Sequence, residues 1–324
     1  MSATEELAGR LRGTVLPAVL TPMDAAGTVD LAALGRYAER IAAERIGGVA
    51  VWAHTGRGLH LTAGDRRRVL ALWRSAVDVP VVAGAGVPRA LRGASSEDAE
   101  DAVVAMAAEA AELGADAVMV YPAAHHRGLP DGEERTVRLH ERVAGASGLP
   151  VLGFLLHAEA GGHPYSPELV RRLLELPSAA GVKIATLDRA MDCQDAVRAA
   201  EGTGALVVTG EDRMFGPSLM WGADTALVGV AAARAGLTTA VLDAWTAGDA
   251  AGFLRASGRL DRFAEATFRA PIEGYVQRML WAAVWEGAVP EEAAFDPYGP
   301  PLPDAERRAV VTCLERLAEE DDAG

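Results

Sequence analysis

The sequence predicts an α/β fold, a (β/α)8 TIM barrel with a C-terminal helical extension. Eight short apolar runs recur along the chain, separated by helix-length amphipathic segments. Strands buried on both faces read as such runs, and their alternation with helices requires parallel pairing through crossovers. The length of 324 residues suits one barrel with a modest extension. The turn after the first run, "TPMDAAGTVD", lacks the glycine-rich phosphate loop often seen in a doubly wound open sheet, an architecture that usually stops at about five to seven parallel strands.

The first run, "TVLPAVL" (14–20), leads through Asp30, an N-cap, into a helix marked by Leu31, Leu34, Tyr37 and Ile41. "GVAVW" (48–52) and "PVVAG" (80–84) follow, and the "DRRR" at 65–68 between them reads as one solvated helix face. Ser95 or Ser96 then starts a long helix through "EDAEDAVVAMAAEAAEL" that stops at Gly114, a residue suited to a left-handed C-terminal cap. After "DAVMV" (116–120) and "PVLGFL" (150–155), "SPELVRRLLEL" carries Ser166 as cap and Pro167 at the first helical position. "AGVKI" (180–184), "ALVVT" (205–209) and "DTALV" (224–228) complete the eight. Residues 1–232 are assigned to the barrel core. Residues 233–324 supply its last helix and an extension of further helices that packs on the barrel, since no linker intervenes. The acidic "EEDDAG" end reads as frayed.

Composition narrows the function. A net charge of −14 with no basic stripe argues against nucleic acid. No segment reaches the roughly 18 uninterrupted apolar residues of a membrane span or resembles a signal peptide, so a cytoplasmic protein with no membrane partner is expected. Cys193 and Cys313 lie far apart and outside any paired ligand spacing, and read as ordinary thiols.

Lys183 is the only lysine among 31 basic residues, and it sits in the apolar "GVKIATLD" near the end of the sixth strand. In a βα barrel functional groups gather at strand C-termini. An ammonium among Val182, Ile184 and Ala185 loses hydration, which lowers its pKa and frees a nucleophilic amine. Arginine cannot do this, because its guanidinium stays protonated. The bland alternative is an arginine-rich genome in which one lysine survived by chance.

Several stretches resemble the dihydrodipicolinate synthase and N-acetylneuraminate lyase family of class I aldolases, from about residue 13 to 245. "LTPMDAAGTVD" resembles the family's first strand and Thr-Pro turn, "AHTGRG" (53–58) its carboxylate-binding Gly-Thr-Thr-Gly-Glu, and "VVAGAG" (81–86) its third strand. "GVKIAT" (181–186) resembles the strand bearing the Schiff-base lysine, and "VTGED" (208–212) the Gly-Asp-Asp after strand seven. The resemblance implies a lyase, aldolase or dehydratase that needs no cofactor and no metal. It would act on a small 2-oxo acid such as pyruvate and assemble as a homotetramer or homodimer.

The chain departs from the family pattern where chemistry is expected. His54 replaces the first threonine while Thr55 and Gly56 remain, and Arg57 replaces the glutamate. The family's proton-relaying tyrosine falls on Ala124 in "YPAAHHRG", and its Tyr-Asn-Val-Pro reads Phe154 to His157. Five of seven histidines, His54, His60, His125, His126 and His157, fall in loops after strands two, four and five. His125 or His126, directly after the vacated position, is expected to replace the tyrosine as acid–base group; solvated loop histidines beside Arg127 are the alternative. His54, Thr55, Gly56, Tyr121, His157 and Glu211 are expected to contact substrate, with capping of the helix near Met214 as the other role for Glu211 and Asp212. Loss of the tyrosine leaves a second functional class open, a binding or regulatory barrel without turnover.

Overall fold

In the computed structural model, which describes residues 2–323, all eight apolar runs become neighbouring strands. They are β1 (Val15–Pro17), β2 (Val49–Val51), β3 (Val81–Ala85), β4 (Ala117–Val120), β5 (Val151–Leu156), β6 (Ala179–Ala185), β7 (Leu206–Thr209) and β8 (Thr225–Val228). All pair in parallel, in the order β1-β8-β7-β6-β5-β4-β3-β2. A bridge between Ala18 and Ala50, with the Val19 N–H donating to the Ala50 carbonyl at 3.1 Å, joins β1 to β2 and completes the ring. The chain is a TIM barrel with added C-terminal helices.

Two apolar clusters follow from the pleat, because alternate residues of a strand face opposite sides. Leu16, Val82, Met119, Leu152, Leu206 and Leu227 fill the barrel interior. Val51, Val81, Val118, Val151, Val182 and Val207 face the helices.

The helices are α1 (Ala3–Leu11), α2 (Leu31–Ala42), α3 (Ala63–Ala76), α4 (Ser96–Glu112), α5 (Gly132–Ser147), α6 (Pro167–Leu174), α7 (Ala190–Ala200), α8 (Phe215–Trp221) and α9 (Ala235–Thr246). The extension adds α10 (Ala250–Thr267), α11 (Tyr275–Trp285) and α12 (Asp304–Ala323). Asp30 accepts from the Ala32 and Ala33 N–H groups, Ser95 caps α4, and Ser166 caps α6 with Pro167 behind it. Helix α1 was not expected from the sequence. It carries only Leu7 and Leu11 as buried anchors, which join the interior cluster, and a Ser2/Glu5 capping box starts it.

Two surface expectations need correction. Arg66 of "DRRR" is buried rather than solvated, and its Nε and Nη2 donate to Glu109 of α4 at 3.0 and 2.8 Å. A buried carboxylate on the neighbouring helix makes the difference. The acidic C-terminal end is helical through Ala323, and Glu320 and Asp321 pair with Arg259, Arg262 and Arg234. Gly324 lies outside the described residues. Among the described residues no helix is long and apolar enough to cross a membrane.

The extension also returns to the rim where the strands end. Met23, in the β1 loop, forms a parallel bridge with Ala294 and donates its N–H to the Ala293 carbonyl at 2.9 Å. That places the segment around α11 over the loops that follow β1 and β2.

Candidate functional site

Lys183 lies on β6 between Phe154 of β5 and Val208 of β7 in strand register, and is only 6% exposed. Its Nζ sits 4.2 Å from the centroid of the Phe154 ring. A Cβ on Gly210 would come within 2.6 Å of the Lys183 Cε, so glycine there gives the lysine stem its room. The side chain lines a cavity of about 550 Å³, opening included, whose walls also include His54, Thr55, His157, Asp212 and Tyr275. Among the described residues no carboxylate comes within ion-pair distance of the Lys183 nitrogen. Burial pushes its pKa down to about 8, against the weaker pull of Asp212 and Glu211.

Asp212, in the loop after β7, faces the same cavity and accepts from the Val230 N–H at 2.7 Å. Burial pushes its carboxyl up from the ordinary range, opposed by that N–H and by Lys183. A carboxyl so raised beside an amine so lowered can exchange a proton near neutral pH.

The other wall comes from the extension. Tyr275, at the start of α11, is buried and its hydroxyl lies 3.0 Å from the Thr55 Oγ1. Its ring stacks on Phe268 at 4.5 Å. Gly229 lets this group close up, since a Cβ there would stand 3.1 Å from Thr55 Oγ1 and 3.2 Å from the Tyr275 ring. Burial raises the Tyr275 pKa well above the ordinary phenol value, so it enters any reaction as a neutral hydroxyl that accepts one proton as it gives another.

Arg57 ties the β2 loop to this wall. It is 3% exposed and donates to Asp296 through Nε and Nη2 at 3.0 and 2.6 Å, and to Glu273 through Nη1 at 2.8 Å. Glu273 also bonds His54 Nε2 at 2.9 Å. Burial by itself would raise the Glu273 carboxyl, but the bonds from His54 and Arg57 prevail and hold it at about 2. Trp52 and Arg57, at the two ends of this turn, have φ of 54° and 52°, a left-handed backbone that bulky residues hold only when their surroundings impose it.

The sequence-derived residues separate into two places. Lys183, His54, Thr55, His157 and Glu211 line the one cavity. Glu211, however, is fully occupied: it accepts from the Thr186 N–H and hydroxyl at 2.5 and 2.7 Å and from the Leu187 N–H at 3.2 Å, tying the β7 loop to the β6 loop. Neither Glu211 nor Asp212 caps α8, whose N-terminal residue Met214 makes no side-chain cap. His157 Nδ1 stands 3.2 Å from Glu159, and burial lowers its pKa. Gly56 forms the turn behind Thr55; a Cβ there would meet the Val19 carbonyl at 2.7 Å.

Tyr121, Ala124 and His125 line a different chamber, around the loops after β3 and β4. Tyr121 spends its hydroxyl on the Trp52 carbonyl at 3.0 Å. His126 is buried between Thr136 and Glu100, at 3.0 and 2.9 Å. Neither histidine is among the walls of the Lys183 cavity. Glu100, His125 and His126 bring possible ligand atoms within 4.8 Å of one another. Arg135 and Arg142 already hold both Glu100 oxygens, which disfavours a cation there.

Glu273, Tyr275 and Asp296 were the residues that sequence reasoning missed as cavity or cavity-supporting groups, and Asp212 was weighed only beside Glu211. The one signal for the first two was the Pro271–Gly274 interruption ahead of α11, which forms a 3-10 turn at Ile272–Gly274 and aims Tyr275 inward.

Comparisons with known proteins agree with this architecture. The model of the dihydrodipicolinate synthetase family matches residues 11–316. A 4-hydroxy-tetrahydrodipicolinate synthase from Prochlorococcus marinus (strain MIT 9313) is 31% identical over 225 residues, covering 69% of this chain and 70% of the relative. Among solved structures, the sialic acid aldolase of Ruminococcus gnavus superposes with a TM-score of 0.81 at 18% identity, over 97% of this chain and 99% of its own. A prophage protein of the dihydrodipicolinic acid synthase family from E. coli K12, solved in complex with pyruvate, gives a TM-score of 0.80 at 21% identity over 94% and 98%.

Proposed function

The chain belongs to the dihydrodipicolinate synthetase family, a family of lyases and aldolases, and from that premise we propose that Lys183 forms a Schiff base with a 2-oxo acid such as pyruvate. Through that adduct a carbon–carbon or carbon–oxygen bond is broken or made. One observation carries the reading: the chain's only primary amine on a side chain is buried, unpaired among the described residues, and open to a cavity.

The neutral amine adds to the carbonyl carbon, a proton passes from nitrogen to oxygen, and a second proton lets that oxygen leave as water. What remains is an iminium cation, which draws electrons from the neighbouring bond. The face of Phe154 below Lys183 favours this cation, an interaction of about 0.5–2 kcal/mol. His54 and Thr55 are assigned the carboxylate end of the substrate, and His157 a further polar contact in the same cavity.

Each proton step needs a group within hydrogen-bond reach. We assign these steps to Asp212 and to the Thr55–Tyr275 hydroxyl pair, rather than to His125 or His126. Tyr275 supplies from the extension the phenol missing at Ala124. A barrel that binds without turnover drew its support from that missing hydroxyl, so its case weakens.

Incubation with pyruvate and borohydride tests the core of the proposal. A single reduced adduct is expected by mass spectrometry, lost in both Lys183→Ala and Lys183→Arg. No adduct with pyruvate or with longer 2-oxo acids would overturn it.

A further inference from the structure

Beside the Lys183 cavity opens a second chamber of about 980 Å³, opening included. The two adjoin at His54 and Leu156, which line both. Leu59, Val87, Leu91 and Ala124 give it apolar surface, while the β3 loop brings in Arg89 and Arg92. None of its lining residues is acidic.

The two guanidinium groups stand out because most arginines of this chain lie against a carboxylate. Among the described residues neither Arg89 nor Arg92 does. Arg89 donates through Nε to His60 Nε2 at 3.3 Å. That ring lies tilted against Tyr298, and burial followed by the charge of Arg57 pushes its pKa down to about 4, so it offers a neutral acceptor and no counter-charge. His125 adds a further unused group, for its Nε2 is buried without a hydrogen-bond partner. A half-enclosed chamber with cations, an unpaired ring nitrogen and no acid, on a chain of net charge −14, is arranged for an anion.

We propose that this chamber is the subsite for the part of the substrate beyond the oxo-acid end, and that this part is an apolar chain ending in an anionic group, a carboxylate in the simplest case. The substrate class becomes a 2-oxo acid whose apolar chain carries a distal negative charge. This rests on the Lys183 proposal for its orientation, with the oxo group at Lys183 and the distal charge at Arg89 and Arg92. Ammonium side chains would hold a carboxylate by one point of contact; the planar guanidinium forks select it in two.

The test compares 2-oxo diacids, from 2-oxoglutarate to 2-oxosuberate, with neutral-ended 2-oxo monoacids of the same lengths. The readout is the concentration that half-saturates borohydride trapping at Lys183. At the best length the diacid is expected to half-saturate at about ten- to a hundredfold lower concentration, the range of one charge-assisted hydrogen bond. Arg89→Gln with Arg92→Gln removes most of that preference and leaves trapping of pyruvate unchanged. Equal half-saturation at every length, or a preference that survives the double variant, overturns the subsite. If pyruvate itself leaves no adduct, the Schiff-base proposal falls separately. Calorimetric titration of Lys183→Ala protein with the same acids then decides the subsite by whether diacids still bind more tightly.

Discussion

On one side of the barrel mouth Arg57 is enclosed with Glu273 and Asp296, each bonded to it, and the Asp296 side chain has no exposed surface. On the other side Arg89 and Arg92 face an open chamber with no carboxylate among the described residues. The same residue type thus serves opposite ends. A guanidinium that already has its anions fixes geometry, and a strained turn at Trp52 and Arg57 can persist because the bonds hold it. A guanidinium without them keeps its donors for a ligand. The closed side holds Thr55, Tyr275 and His54 around Lys183; the two proposals above assign chemistry to it and selection to the open side.

Removing Arg57 is the strongest way to break the contrast. Arg57→Met leaves Asp296 buried without a counter-charge and is expected to destabilise the protein by about 3–5 kcal/mol, the usual cost of breaking a buried pair from one side. A urea midpoint shift with unchanged slope measures it. Adding Asp296→Asn should recover part of the loss. A single variant as stable as the parent would mean that the closed side is not held by charge.

Tyr275→Phe comes next. Phenylalanine keeps the stacking on Phe268 while deleting the hydroxyl that faces Thr55. Formation of the pyruvate adduct is expected to slow by about a hundredfold, the low end for a general acid–base group, with little change in urea midpoint. His125→Ala, on the open side, should leave that rate within about twofold, since an imidazole outside the Lys183 cavity takes no part in its proton steps. The reverse ranking would return the proton steps to the histidine side.

The barrel was legible because its strands are buried on both faces, and no alternation was needed to find Val81–Ala85 or Val151–Leu156. Lys183 was legible through rarity and position together. Thr55 was named, but its pairing with Tyr275 was not, because a contact across 220 residues leaves no local pattern, and an aromatic at the head of an apolar helix reads as core. Arg57 looked like a lost glutamate until its partners on the extension were known. The neighbours Glu211 and Asp212 could not be ranked either. They lie in a loop with no fixed period, and only the fold shows that Thr186 and Leu187 occupy the first and leave the second facing the amine.

The smallest effect is one of pH, and it sharpens the comparison without a mutation. Burial moves Lys183 from 10.5 to about 8, so its neutral, nucleophilic form appears as pH rises through 8 instead of through 10.5. Below that point most of the amine is protonated; above it nearly all is free. Adduct formation at saturating pyruvate should therefore rise about tenfold between pH 7 and pH 9 and then level off, as one group with that pKa requires. Guanidinium groups as a class stay charged over this interval. Burial holds His60 and His125 down at about 4, so neither changes charge in the same window. The diacid preference should accordingly stay flat from pH 7 to pH 9 while the rate climbs. A preference that fell in step with the rising rate would mean that both sides of the mouth respond to one titrating group, and the division between a side for chemistry and a side for selection would fail.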